Sequence, residues 1–433
     1  MGSPFDSKVS PDRFTGDGST DPSAPSAERE FGLIAPVYEP SRLMGRKITL
    51  SDEALGEVSR VEMLASRYDC LIGTSPLRSA LAQIMSRMEG IFEAELDGRK
   101  ANYRLCCYLD FLEESEHHVL QGAEAASKLE SFDMVQPDPS TLDASLCAHR
   151  LEAIESAFLF RSTPDFLTPG YVLALQQIIS STFYPGIPSG LRSLAYPVSN
   201  ETPPPGQRLY RPPSPMELPS YLQDLVEFIN ESKLGPSVKA AFVHYQIEAT
   251  KMFSSCTEQI SRALLVLIWR QSGLIRHLML PLAITPLLSR PTRDKILRPY
   301  QSSQLLSEEQ MLDQWIRHTA YASQNVFDME RHCYMLVSRL IGQWILRLSH
   351  SNARVTDATK KLLITVVGQP VFSISTLAKR ANMSFGTVAK IVASMSQCGI
   401  IVKKTTGRRN KVYECPDAIL LFNDLIPDSN HPV

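Results

Sequence analysis

Five cations fall within nine residues near the C-terminal end: Lys403, Lys404, Arg408, Arg409 and Lys411. Held on one hairpin they repel one another, so an anionic partner is the economical explanation of the cluster. Just before them, residues 385–397 carry Val388, Ile391, Val392 and Met395 at i, i+3, i+4 and i+7, the inward stripe of a helix. Its outward face presents Ser384, Phe385, Thr387 and Lys390, residue types that read base edges, while the hairpin cations suit phosphates or a minor groove. Other candidate chemistry is thin. Glu113, Glu114, Glu116, His117 and His118 are metal-ligand types, but they lack H-E-x-x-H spacing and read as a solvated helix face. His332 and Cys333 are adjacent, so on a helix they point apart. There is no G-x-S-x-G, P-loop or G-x-G-x-x-G, and no metal site is expected.

The elements that must position the basic residues follow in order. Ala358–Val367 reads as a helix and Val371–Phe372 as a short strand. Ser373 or Ser375 caps a second helix through Leu377–Ala381, and Asn382, Met383 and Ser384 make a turn. The third helix ends at Gly399, and Ile400–Lys404 and Lys411–Cys415 flank a hairpin tip at Thr405–Asn410. Helix, strand, helix, turn, helix and basic hairpin is the order of a winged helix-turn-helix, whose last helix enters the major groove. From Asn352 onward there are 11 basic and 5 acidic residues, a balance of +6; the remainder has 33 basic and 41 acidic, a balance of -8. A basic module on an acidic body makes DNA the expected partner, with protein contacts as the alternative use of the same surface.

The body is long enough for real cores. The chain has 433 residues, 43% apolar and 21% charged, with a net charge of -2, which excludes a uniformly basic nucleic-acid wrapper. Residues 1–30 are Ser, Pro, Asp and Gly with few large apolar side chains and read as a disordered tail. Helical periodicity marks Ser79–Ala94, Tyr221–Asn230, Val238–Thr250 and Ser261–Gln271, the last apolar nearly all round and hence central. Prolines and glycines between Tyr184 and Pro215 predict a long loop or irregular hairpin. The best apolar run, Ala263–Trp269, stops at Arg270, well short of the ~18 residues of a membrane span. Eight cysteines without a C-x-x-C pair, and no basic-then-apolar leader, make a reduced cytoplasm the expected compartment.

The stretch from His244 to Arg262 resembles the heart of the Fic family, whose members transfer a nucleotide part, usually AMP, to a hydroxyl side chain. The family signature is H-P-F-x-[DE]-G-N-G-R-x-x-R, preceded by a helix that commonly reads A-H-x-x-F-E. Ala241, His244 and Glu248 fit the preceding helix, Phe253 the motif's Phe, and Arg262 its last Arg. Arg211-Pro-Pro-Ser-Pro and the helix after it resemble the segment before the motif helix. Tyr38–Leu109 is similar to the N-terminal region of longer members, with Glu89 and Gly90 matching an autoinhibitory [S/T]-x-x-x-E-[GN] motif whose Ser is one place late, at Ser86.

The departures are chemical. The family's catalytic His falls on Lys251, whose ordinary pKa of ~10.4 leaves it protonated and unable to take a hydroxyl proton. The acidic metal ligand falls on Ser255, which cannot hold Mg²⁺ as a carboxylate does. The glycine-bearing anion cradle falls on Cys256, Thr257 and Glu258, and the first phosphate Arg on Gln259. The resemblance implies that Glu89 and Arg262 remain as a buried ion pair.

The expected architecture is mainly α: an all-helical Fic-like body followed by a small winged-helix (α+β) domain. Its parts are a tail at 1–30, an N-terminal helical region at 31–160, a Fic-like core at 161–350 and the winged helix-turn-helix at 351–433. The expected function is a catalytically degenerate Fic protein acting as a DNA-binding regulator, with no cofactor and with homodimerisation and a protein partner left open. The alternatives are a nucleotide-binding protein with residual or altered nucleotidyl transfer, which alone would use ATP and Mg²⁺, and a protein-interaction scaffold. No membrane association is expected.

Overall fold

The computed structural model describes residues 37–132, 136–155, 164–195, 209–285, 306–351, 353–405 and 411–425. The segment 1–30, residues 196–208 of the Pro/Gly-rich loop, and Arg408 and Arg409 lie outside these. The described residues are mostly helical, with fourteen helices and a small three-stranded sheet. None of those helices is long and apolar enough to cross a membrane.

The core is organised around α2 (Arg78–Leu96) and α9 (Thr257–Gln271). Residues Ile84–Ala94 of α2 and Ile260–Trp269 of α9 are buried without a break. A helix buried on every side needs neighbours all round. For α2 these include α1 (Asp52–Thr74), α3 (Tyr103–Glu116) and α5 (Pro139–Glu155). Against α5 the backbones meet at Gly90, where a Cβ would overlap the carbonyl oxygen of Ala148. Between α3 and α5 lies the short α4 (Gly122–Leu129).

Residues 164–285 supply α6 (Pro169–Phe183), α7 (Leu218–Glu231), α8 (Pro236–Thr250) and then α9. Prolines at the first turns of α6, α7 and α8 set φ where no N–H partner is needed. Of the Pro/Gly-rich loop, Leu209–Tyr210 forms strand β2, parallel to β1 (Val37–Tyr38). The long α10 (Glu308–His350) spans 43 residues, about 65 Å, and starts in a Ser307–Gln310 capping box. Its start is fixed against α1 by Asp313 to Ser51 and by Arg317 to Glu53.

The C-terminal module consists of α11 (Asp357–Gly368), β3 (Val371–Ser373), α12 (Ile374–Ala381), α13 (Phe385–Gln397), β4 (Val402–Lys403), β5 (Val412–Glu414) and α14 (Pro416–Leu425). Its strands are ordered β3-β5-β4, all antiparallel, with Val371 and Val402 both opposite Glu414. Ser373 caps α12 and Ser384 caps α13; Asn382 in the turn and Gly399 after α13 adopt left-handed backbone.

This module is welded to the body. Arg87 of α2 donates to the Gly368 carbonyl at 2.6 Å and to Gln369 and Asp110 at 3.0 Å. Arg104 and Tyr108 of α3 both reach Glu414, and Tyr103 stacks on Phe422 at 4.5 Å. From the module, Arg380 pairs with Glu114 and Asp110. At the end of α10, Trp344 and Arg347 donate to Asp417.

These contacts refine one expectation. Glu116, His117 and His118 are exposed, as a solvated face requires, with Glu116 paired to Lys128 and His118 to Glu124, but Glu113 and Glu114 are half-buried and bonded to His149 and Arg380. No metal-holding cluster occurs among the described residues. His332 is exposed and Cys333 buried, as their adjacency requires.

Candidate functional site

The turn between α8 and α9 collects the residues singled out by the motif. Lys251 ends α8 in left-handed backbone, with φ 47°, and its Nζ lies 3.4 Å from Glu248. Phe253 is buried and bridges Leu191, so the loop after α6 lies along the turn as a short antiparallel partner. The Arg192 N–H donates to the Met252 carbonyl and the Ser254 N–H to the Gly190 carbonyl, each at 3.0 Å. The Arg192 guanidinium donates to the Lys251 carbonyl at 2.9 Å.

Ser255 belongs to a hydroxyl network. Its Oγ is 2.7 Å from Ser180 Oγ, and its carbonyl accepts from Gln176 at 2.9 Å. The same Gln176 side chain accepts from the Gly190 N–H, tying α6, the loop and the turn together. Cys256 caps α9 with φ 55°, a conformation that favours glycine, and burial pushes its thiol up to about 12. Thr257, Glu258 and Gln259 form the first turn of α9 and are half-buried. Glu258 puts a carboxylate at the positive end of the helix dipole, where it is favourable.

Arg262 is the electrostatic centre. Its side chain is 5% exposed and is held by Glu93, at 2.8 and 2.6 Å through two guanidinium nitrogens, and by Glu258 at 3.5 Å. The carboxylates, Glu93 foremost, outweigh the burial that opposes its charge, and its pKa lies above the usual arginine value. Glu89 is not the direct partner. It sits one helical turn away and accepts from the Ala283 N–H at 2.7 Å. Burial, reinforced by Glu93, pushes Glu89 up to about 8, while Arg262 acts against the rise. The expected Glu89–Arg262 pair is therefore replaced by Glu93–Arg262. Four residues along α2 return almost to the same face, so spacing alone did not separate the two glutamates. Beyond Arg262, a cavity of about 30 Å³ is lined by His244, Trp315, His318 and Ser323. That is room for a water or two.

The second group of candidates lies on the C-terminal module. Ser384, Phe385, Thr387 and Lys390 are exposed in the N-terminal half of α13 and its cap, and Phe385 is 59% exposed. Lys403 and Lys411 are exposed and Lys404 half-exposed on the adjacent strands. Of the acidic groups of β5 and α14, Glu414 and Asp417 turn into Arg104, Tyr108, Arg347 and Trp344, while Asp424 is exposed.

Two groups went unnoticed in the sequence. Glu93 had only its helical spacing from Glu89 to recommend it. Arg87 carried no signal: a cation within a helix that also carries Glu89 and Glu93 has a partner somewhere, but nothing local names it.

Residues 166–269, which run from the start of α6 through α9, match the model of the Fic/DOC family. The chain therefore contains a Fic/DOC family domain. Among solved structures, it is similar to a Fic family protein from Desulfovibrio desulfuricans G20, at 14% identity and a TM-score of 0.44, over 86% of this chain and 98% of that one. No curated protein matches the chain.

Proposed function

We propose that the protein is a DNA-binding regulator in which the Fic domain has lost nucleotide transfer and residues 351–433 form a winged helix-turn-helix. The observation that carries the DNA reading is charge segregation within the module. Glu414 and Asp417 are engaged by the body, while Lys390, Lys403 and Lys411, with Ser384 and Thr387, are exposed. In this reading α13 reads bases and the strand cations, with Arg408 and Arg409, hold phosphates.

The loss of transfer is supported by the turn at Lys251. Magnesium–nucleotide chemistry needs an acidic ligand, an open anion cradle and a free arginine. At those places stand Ser255 hydrogen-bonded to Ser180, Cys256 with Glu258 over the α9 N-terminus, and Arg262 gripped by Glu93. These residues do not fit Mg²⁺ and ATP, and no step is assigned through them.

A gel shift with the gene's own upstream DNA at several salt concentrations tests the proposal. Binding that weakens linearly in log affinity against log salt is expected, since phosphate contacts release counterions. Failure to bind, with a co-purifying protein instead, would move the module to protein recognition. Label transferred from radioactive ATP that vanishes in Lys251→Ala would restore the enzyme.

A further inference from the structure

We propose that α2 is a coupling element, which links the Arg262 site of the Fic domain to the position of the C-terminal module through Glu93 and Arg87, with Arg87 as the positioning residue. The link itself does not depend on what the module binds; it rests on the described contacts alone.

Within the seven residues Arg87–Glu93, α2 carries the clamps for both parts. Glu93 holds Arg262 of α9 by two hydrogen bonds, and Glu89 holds the Ala283 N–H in the segment after α9. Arg87 faces elsewhere: a separation of two residues from Glu89 is about 200° around the axis. It holds the Gly368 carbonyl and the Gln369 side chain, where α11 gives way to β3. Arg87 is 1% exposed and Glu93 is 1% exposed, so neither can swing into water. The charge of Arg87 stays paired with Asp110 of α3 at 3.0 Å, so what ties it to the module is its two bonds to Gly368 and Gln369, whose loss leaves buried N–H donors that must find other acceptors or move.

The helix between the clamps has no slack. From Ile84 to Ala94 every residue is buried. At Gly90 the backbone lies against the Ala148 carbonyl with no room for a Cβ. At the module end, a Cβ on Gly368 would stand 2.9 Å from the Ala80 Cα. A close-packed helix of this kind responds as a unit. A shift or rotation that lets Glu93 release Arg262 also displaces the Arg87 guanidinium from Gly368 and Gln369. Anything that engages Arg262 then loosens the module, and anything that moves the module disturbs Arg262, as linkage requires. The module is also anchored on α3 and, through Asp417, on Trp344 and Arg347 of α10; the α10 anchor does not pass through α2 and serves as the internal control.

The test is hydrogen exchange on the full chain, read by mass spectrometry for Glu93→Gln and Gln369→Leu. Gln369→Leu removes one bond to Arg87 from the module side and leaves α2 intact. Coupling predicts that Glu93→Gln raises exchange at residues 366–373 by about five-fold or more, and that Gln369→Leu raises it at 257–262, with 344–348 unchanged in both. Changes confined to the mutated side overturn the proposal. So does a uniform rise across the chain, which simple loss of stability would give. If Glu93→Gln does not fold, Gln369→Leu alone decides, by whether residues 257–262 respond.

Discussion

Replacing Arg262 by methionine removes the charge but keeps most of the apolar stem, leaving Glu93 buried without its partner. Glu93 can then take up a proton. Bringing a carboxyl from its ordinary 4.5 to neutrality at pH 7 costs about 3 kcal/mol, at 1.4 kcal/mol per pH unit, and this bounds the damage. The opposite cut, Glu93→Gln, leaves a guanidinium that cannot lose its proton. It keeps Glu258 at 3.5 Å, and Glu89, whose rise through burial is no longer reinforced by the Glu93 charge, ionises more readily beside it. With the lost bidentate bonds, the expected loss is about 2–3 kcal/mol. Each single change is thus a sizeable part of a stability of about 5–15 kcal/mol. The double change Glu93→Leu with Arg262→Met leaves no buried charge and should cost about 1–2 kcal/mol, well below the sum of the singles. Urea unfolding followed by tryptophan fluorescence and far-UV circular dichroism measures all three. Additivity within about 0.5 kcal/mol would refute the pairing. The same cycle with Glu89→Gln should show weaker coupling to Arg262, because Glu89 bonds to a backbone N–H and not to the guanidinium.

The pH dependence of stability has a definite sign. Glu89 and Glu330 both titrate at about 8 through burial, far above the unfolded 4.5, so their protonated forms stabilise the fold below about 4.5, and that contribution is lost as pH rises to about 8. The melting temperature should fall across that window and level off above it, and Glu89→Gln with Glu330→Gln should flatten the slope; an unchanged slope would count against both. Gly90→Ala should destabilise by about 2–3 kcal/mol in thermal unfolding, since its Cβ has only the Ala148 backbone to meet, and no side chain can yield. Lys390→Ala with Lys411→Ala should leave the melting temperature unchanged and lower the slope of log DNA affinity against log salt by about 2; the same slope as the parent would remove these residues from the phosphate contacts.

Local physics made much of this chain legible as sequence. The stripe Val388, Val392, Met395 and the cap Ser384 fixed α13 as residues 385–397, because periodicity, a capping hydroxyl and a following glycine act within a few residues of one another. The apolar run after Arg262 fixed a central helix, although its start at Thr257 came earlier than the periodicity suggested. The resemblance to the Fic motif singled out Lys251, Ser255 and Gln259, which lie at the end of α8, in the turn and in the first turn of α9. The tertiary structure decided the partners. Glu89 and Glu93 are nearly equivalent by helical spacing, and only the approach of α9 to one end of α2 gave Arg262 to Glu93. Arg87 and Asp110 meet the module across more than 250 residues of chain, a distance over which no local rule reaches. The Glu113–His118 segment is solvated at Glu116, His117 and His118, as its own charges suggested, but Glu113 and Glu114 are held because α5 and the module fold against them. Charge pairing over long loops depends on which surfaces the whole core brings together, and that is settled only when apolar burial has chosen the packing.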